Sequence, residues 1–234
     1  MDYFSYYYLS NYYYVILVLP VIILSMIASA RVNSSFKKYS NIMSARRITG
    51  AQAAFEVLRY YGITDVQIER VSGNLTDHYD PRTNVIKLSD SVYNSTSVAA
   101  IGVACHEAGH AAQYAQSYVP IKIRNFILPV ANLGSRIGFP LAILGFFLGF
   151  EPLAMFGVIF FAFAVVFQLI TLPVEFNASK RALSVIGEVD LLGDEEKQGA
   201  KKVLTAAAMT YVAALAVSVA NLLRLILMVN RRRK

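Results

Sequence analysis

The chain has 234 residues, 56% of them hydrophobic and 16% charged, with a mean hydropathy of +0.47. A soluble domain of this length is nearer half apolar and a quarter charged. The excess here lies in long runs, so the class is membrane protein, with fewer than half of the residues left for one small polar domain. The net charge of +7 does not point to nucleic acid: the basic residues (Lys37, Lys38, Arg46, Arg47; Lys201, Lys202; Arg231 to Lys234) cluster beside the apolar runs and form no stripe interleaved with aromatics. That placement suits a membrane surface carrying anionic lipid.

The first apolar run, about Tyr12 to Ala30, is long enough to cross a bilayer, which takes ~20 residues. Ala28-Ser29-Ala30 has the look of a signal-peptidase site, but the segment before the run carries Asp2 and tyrosines and no basic residue, so a retained anchor is expected. The tyrosines then read as an interfacial aromatic belt, and the basic stretch after the run places that side in the cytoplasm. Residues 31–120 form the first polar block. Thr49 and Gln52 have capping-box spacing ahead of a helix whose apolar face is Ala53, Ala54, Val57, Leu58 and Tyr61, with Gly62 as its stop. Asp65 to Val71 alternates as a strand. Leu75 to Tyr79 and Val85 to Leu88 flank the turn residues Asp80 to Asn84, which predicts a hairpin. A small sheet of this kind leaves an edge strand free, and pairing of an extended substrate along Val85–Leu88 is expected. A helix follows from Ser95 or Thr96 to about Tyr118. The lone Cys105 has no disulfide partner and fits a reducing compartment.

Two further apolar runs, roughly Phe126–Phe150 and Pro152–Leu172, are separated only by a tight turn and predict a helical hairpin. Asn132 and Arg136 in the first arm are costly in lipid, so that stretch is expected at the interface or against protein. A polar block from Pro173 to Lys202, with Pro173 suited to a first helical turn, should be cytoplasmic. The last run, about Val203–Val229, is long enough to span. Its signals conflict: parity puts the tail Arg231 to Lys234 outside, the positive-inside rule wants it inside, and Arg224 interrupts the run. Four spans are expected. The organisation is thus an anchor (1–30), a catalytic part (31–120), a transmembrane hairpin (121–172), a cytoplasmic helical region (173–202) and a last span with a basic tail (203–234).

The chemistry is concentrated in His106-Glu107-Ala108-Gly109-His110, an H-E-x-x-H motif. Residues four apart on a helix share a face, so both imidazoles can reach one ion, and a catalytic zinc takes three protein ligands and a water. Glu107 is placed to accept a proton from that water, whose pKa zinc lowers toward ~7, and to pass it to the leaving amine. The motif sits in an Ala-rich apolar helix, where unpaired His, Glu and His would be expensive to bury. The alternative is an amphipathic helix with a merely solvated polar face. Only one other histidine, His78, exists, and Ala111-Ala112-Gln113 follows His110, so the metzincin extension is excluded. Glu175 is the best third ligand; otherwise it complements a helix N-terminus. Ser179, four residues on, shares its face.

With these residues in view, Asn74 to Arg82, Leu88-Ser89, Val98 to Gln113, Glu175 to Ala182 and Gly199 to Val203 resemble the bacterial membrane neutral zinc metallopeptidases (YugP-like). More distantly the chain is similar to the gluzincin membrane proteases of the HtpX and CAAX prenyl protease type. The resemblance implies a membrane α-helical protein of about four transmembrane helices with a small α+β gluzincin-like metalloprotease domain. It also implies one catalytic Zn2+ on His106, His110 and Glu175, with Glu107 as general base; Ser179, on the face of Glu175, and Asn177 are the residues expected to orient a ligand. The sequence departs from the wider group at Ser179, where that group has Asp, and lacks its C-terminal oxyanion histidine. His78, Tyr79 or Arg181 is the expected replacement; as ordinary turn chemistry, Asp77, His78 and Asp80 would simply surround Pro81. Expected partners are membrane-associated protein or peptide substrates cleaved at the cytoplasmic face of the cell membrane, and the bilayer itself, with a homo-oligomer or regulatory membrane partner left open. Two rival readings are an intramembrane site-2-type protease using Asp190-Leu-Leu-Gly-Asp194, and a non-catalytic scaffold with a structural zinc.

Overall fold

A computed structural model describes residues 12–231 by backbone and 12–230 by side chain. The N-terminal tyrosine belt before Tyr12 and the Arg231 to Lys234 side chains lie outside the described residues. In chain order the elements are α1 (Tyr14–Ser40), α2 (Gly50–Tyr60), β1 (Gln67–Val71), β2 (His78–Asp80), β3 (Val85–Ser89), α3 (Val98–Ala115), α4 (Val119–Leu148), α5 (Glu151–Glu188) and α6 (Asp194–Arg231). The chain divides into two compact units.

One unit comprises the described residues of 1–28, Lys122–Leu172 and those of 210–234. The four helices α1, α4, α5 and α6 are long and apolar enough to cross a membrane. Within them prolines shape the backbone. Pro20 and Pro140 each follow a widened π-helical turn, Tyr14–Val18 and Gly134–Gly138. A proline donates no hydrogen bond to the carbonyl four residues back and crowds it, and a wider turn relieves that crowding. The arms α4 and α5 meet at Gly149-Phe150, where Gly149 ends α4 with φ 72°. A seam of small residues lets their backbones touch: a side chain at Gly138 or Gly157 would run into the facing helix. Asn132 and Arg136 are exposed: among the described residues none covers them. The Arg224 guanidinium lies 5.2 Å from the ring centre of Tyr14, which gives a charge within the last apolar run an aromatic neighbour.

The other unit, Ser29–Ile121 with Pro173–Met209, carries the polar chemistry. Helix α2 starts with a complete capping box: Thr49 Oγ1 accepts from the Gln52 N–H at 3.2 Å and Gln52 Oε1 from the Thr49 N–H at 2.8 Å. Its face Ala53, Ala54, Val57 and Leu58 is buried against α3 in a single core that also holds Ile86, Leu88, Ile101, Cys105, Val185 and Ile186. Each such aliphatic side chain contributes roughly 1.5–3 kcal/mol when fully buried. Burial pushes the Cys105 thiol pKa up, so it stays protonated and packs as a small apolar group.

The sheet order is β1-β3-β2, with β1 parallel and β2 antiparallel to β3. The β2–β3 hairpin turns where Asp80 to Asn84 predict it, with Asn84 at φ 57°. Strand β3 is central, however. Val85–Lys87 is paired on both sides and Leu88 with β1, so β3 is not the edge expected to offer itself to a substrate; the edges belong to β1 and β2.

Pro173 also differs from expectation. It lies inside one continuous helix, α5, and does not begin a new one. The block 173–202 is therefore the end of α5, a short turn and the start of α6. Arg46 fastens that turn by donating to the carbonyls of Val189 and Asp190 at 3.1 and 3.0 Å, satisfying acceptors exposed at the helix end.

Candidate metal centre

Helix α3 begins at Ser97, whose hydroxyl accepts from the Ala100 N–H at 3.2 Å, and runs through the motif. Its small residues let other helices come close. A methyl group on Gly109 would fall 2.7 Å from the carbonyl oxygen of Ala178 in α5, which is tighter than any side chain tolerates. This approach brings Glu175, one turn before Ala178, to the two histidines. Glu175 Oε2 lies 3.4 Å from His106 Nε2 and 3.6 Å from His110 Nε2. The imidazoles sit 4.7 Å apart between ring centres and nearly perpendicular, at 82°.

The donor set can be tested for a cation without reference to any relative. The Gln113 amide donates from Nε2 to the Val174 carbonyl at 2.8 Å and to Asn177 Oδ1 at 3.0 Å. Its oxygen therefore faces His110 Nδ1, at 3.0 Å. An amide oxygen only accepts, so the His110 proton sits on Nδ1 and Nε2 presents a lone pair. His106 Nδ1 is 3.1 Å from Ser179 Oγ, which can accept in the same way. Both Nε2 atoms and a carboxylate oxygen thus converge. That oxygen is buried and has no hydrogen-bond partner among the described residues. Three lone pairs facing one point repel unless a cation lies between them.

The spacing suits zinc: ligand atoms ~2.1 Å from a tetrahedral ion are about 3.4 Å apart. Among the described residues His106, His110 and Glu175 form the one group of three or more His, Cys, Asp or Glu side chains able to share an ion. The residues fit the metal. Burial disfavours a charged His110, but the carboxylates of Glu175, 3.6 Å away, and Glu107 outweigh it and carry its pKa above the ordinary imidazole value. What favours a proton there favours a metal cation too.

A family model described as "putative neutral zinc metallopeptidase" matches residues 14–230. The chain belongs to that family. It is also 47% identical over 204 residues, 87% of this chain and 91% of the relative, to the Bacillus subtilis (strain 168) protein named "putative membrane protease YugP". No solved structure matches the chain.

The other candidate residues of this family member are placed as follows. Glu107 is buried on α3 between the histidines, 9% exposed. Ser179 touches His106, and Asn177 reaches His110 only through Gln113. Arg181 donates from Nε to Asn177 Oδ1 at 2.8 Å and from Nη1 to Gln116, and its guanidinium lies over the rings of Tyr61 and Tyr118 at 5.7 and 5.9 Å. Tyr79 packs edge-on against Tyr114 of α3, 5.4 Å between centres, and donates to Asn84 Oδ1 at 2.6 Å. Burial, and then the neighbouring Tyr114, push its phenol up to about 12. His78, exposed on β2, donates from Nδ1 to the Thr76 carbonyl at 2.9 Å. Asp77 accepts from the Ser89 N–H and hydroxyl at 2.7 and 2.9 Å, which ties the hairpin to the strand end. Asp190 and Asp194 lie at the α5–α6 turn and are not in the metal-binding group.

Gln113 is the residue that sequence reasoning passed over as a ligand-orienting group. It is fully buried, and its signal was available: it stands three residues after His110, the spacing at which helical side chains meet, and an amide on an alanine-rich face needs partners.

Proposed function

We propose that the protein is a membrane-bound metalloendopeptidase that uses one zinc ion to hydrolyse peptide bonds of membrane-associated proteins or peptides at the cytoplasmic surface. The observation that carries this reading is the convergence of His106 Nε2 and His110 Nε2 on the unpaired, buried Oε2 of Glu175. A divalent ion held there supplies Lewis acidity that makes water nucleophilic near neutral pH.

The chain's own residues supply the remainder. Glu107, next to His106 and buried, takes the proton of the attacking water and returns it to the leaving amine. Gln113 and Ser179 hold the two imidazoles in the tautomer that turns Nε2 toward Glu175. All three oxyanion candidates are engaged, Tyr79 by Asn84, Arg181 by Gln116 and Asn177 and His78 by Thr76, and Tyr79 is favoured because its ring packs on Tyr114 of the motif helix α3, one turn after His110. The small sheet and motif helix then serve as a gluzincin-like catalytic domain. The site's nearness in sequence to the end of the apolar run at Leu172 favours substrates already at the membrane.

Glu107→Gln tests the reading. In membranes the variant should keep metal and lose at least ~100-fold in peptide hydrolysis, and chelation should abolish the wild-type activity. A Glu107→Gln protein with wild-type turnover, or hydrolysis that survives metal removal, refutes it.

A further inference from the structure

We infer that the groove between α5 and α6 is a binding site for a phosphodiester-bearing anionic lipid, distinct from the metal centre. The groove has a volume of about 480 Å³ and opens between residues 176–184 of α5 and 197–208 of α6. A cavity of this size accommodates a polar headgroup with part of a chain.

The two helices join by the short turn after Glu188 and run antiparallel. A side chain on Gly187 would meet Lys197, so the basic end of α6 lies beside the late turns of α5. It follows that Phe176 and Ala208 lie together at the other end, one or two turns from where the apolar run before Pro173 stops and the last one gathers. The lining changes character along this line. Phe176, 45% exposed, with Leu204 and Ala208 forms the apolar end. One turn further on stand Lys180 and Lys201, both exposed, with the Thr205 side chain also lining the groove one turn from Lys201.

No carboxylate lines the groove. Glu188 lies nearby, its charge felt by Lys197, and it is already engaged by Ser184 and Tyr60. Lys197 is therefore partly neutralised, and Lys180 and Lys201 carry the free positive charge. Helical side chains lean toward their own N-terminus, so Lys180 leans toward Phe176 and the apolar end, and Lys201, on the antiparallel helix, toward Lys197 and the polar end.

An apolar end next to membrane-length helices, graded into two ammonium groups and a hydroxyl, matches a lipid with a monoanionic phosphodiester and an acyl chain. It matches neither a free phosphate, which leaves the apolar half unused, nor a zwitterionic lipid, whose choline the lysines repel. A substrate peptide is disfavoured by position: the groove touches the metal centre only through Ser179, at the Nδ1 side of His106, and the reacting side of that ring is Nε2. The inference does not depend on the peptidase reading.

The test is binding to the full-length protein in a neutral maltoside detergent. Dioctanoyl phosphatidylglycerol, dioctanoyl phosphatidylcholine and inorganic phosphate are compared by native mass spectrometry and thermal shift. Phosphatidylglycerol is expected to bind at least tenfold tighter than phosphatidylcholine, and inorganic phosphate not to displace it at equal concentration. Lys180→Gln with Lys201→Gln should weaken phosphatidylglycerol binding about 30-fold, from two surface lysines. Thr205→Trp, which fills the groove and leaves every charge in place, should do the same. The paired Lys37→Gln and Lys38→Gln change, which removes equal charge beside the first apolar run, should leave it unchanged. Equal affinity for the two lipids, full competition by inorganic phosphate, or an equal loss in the Lys37/Lys38 variant overturns the inference.

Discussion

Replacing Gln113 by Leu separates the role of the amide from that of the volume it fills. Gln113 is 0% exposed, so Leu keeps the packing while three hydrogen bonds go: from His110 Nδ1, to Val174 O and to Asn177 Oδ1. Asn177 keeps the donor of Arg181 and the Val174 carbonyl, inside α5, keeps its helical bond and loses the second, which leaves His110 Nδ1 unpaired. Each buried group left unpaired costs about 1–3 kcal/mol. The Val174 loss falls on folding. The His110 loss falls on metal binding, because the ring is then free to turn or to carry its proton on Nε2; roughly 2 kcal/mol is a 30-fold loss of affinity, within the 10–100-fold typical of partners behind a ligand histidine. Gln113→Glu keeps an acceptor for Nδ1 and loses the donors to Val174 and Asn177. The expected order of zinc affinity, by competition with a fluorescent chelator at fixed pH, is therefore Gln113→Glu at or above wild type, because a carboxylate makes the ring more basic, and Gln113→Leu about 30-fold below it. The melting temperature of the metal-free protein should fall in both variants. Metal affinity of Gln113→Leu within threefold of wild type would refute the tautomer argument, since no other described group is placed to fix that ring.

Gly109→Ala should lower both the melting temperature and zinc affinity. Its methyl would lie 2.7 Å from the Ala178 carbonyl, and overpacking of this kind costs about 1–3 kcal/mol while it drives Glu175 from the histidines. Gly102→Ala is the milder counterpart: its methyl would lie 3.2 Å from the Ala200 methyl and 3.5 Å from its Cα, a contact relieved by a shift of a few tenths of an ångström, and a smaller loss of stability than in Gly109→Ala is expected by calorimetry. Ser179→Ala should weaken zinc binding about tenfold, and Ser179→Asp should restore it, by the same chelator competition. Tyr79→Phe should lower turnover with zinc content unchanged, and His78→Ala and Arg181→Lys should affect turnover less; wild-type kcat in all three would remove every candidate for oxyanion stabilisation.

The parts of the molecule that were legible beforehand are those set by local rules. The capping box at Thr49 and Gln52, the β-turn between His78 and Ser89 and the motif helix all follow from interactions within a few residues. Strand order did not follow, because Val85–Ser89 alternates no differently as an edge than as the central strand; only its burial on both faces and the parallel partner Gln67–Val71 distinguish it. Pro173 misled for a related reason. A proline in a helix loses one hydrogen bond and often marks a start, yet α5 continues through it, as helices flanked by packed neighbours can. Glu175 was found by its chemistry and not by its spacing: 65 residues separate it from His110, and the contact depends on Gly109, whose missing side chain is silent in any pattern of apolar residues. Gln113 has no metal-binding atom and so does not stand out by chemistry, whereas a buried amide on an alanine-rich face is a sign of partners.

The wiring behind the ligands bears on what the centre can do. Both imidazoles are oriented by neutral groups, a hydroxyl at His106 and an amide at His110. Carboxylates in those places would make the rings more basic and bind an ion more tightly, but they would also pass negative charge to it. With neutral partners, His, His and Glu bring a single negative charge to a divalent ion, which keeps a net positive charge and so its power to polarise what approaches it. The next charge along the hydrogen-bond chain behind His110 is the Arg181 guanidinium, three hydrogen bonds away through Gln113 and Asn177, and it is positive as well. Affinity is the quantity given up. The buried setting of Glu175 and the close helix contact at Gly109 offset that loss by holding the three donor atoms together before any ion arrives, so the site depends on preorganisation more than on ligand basicity.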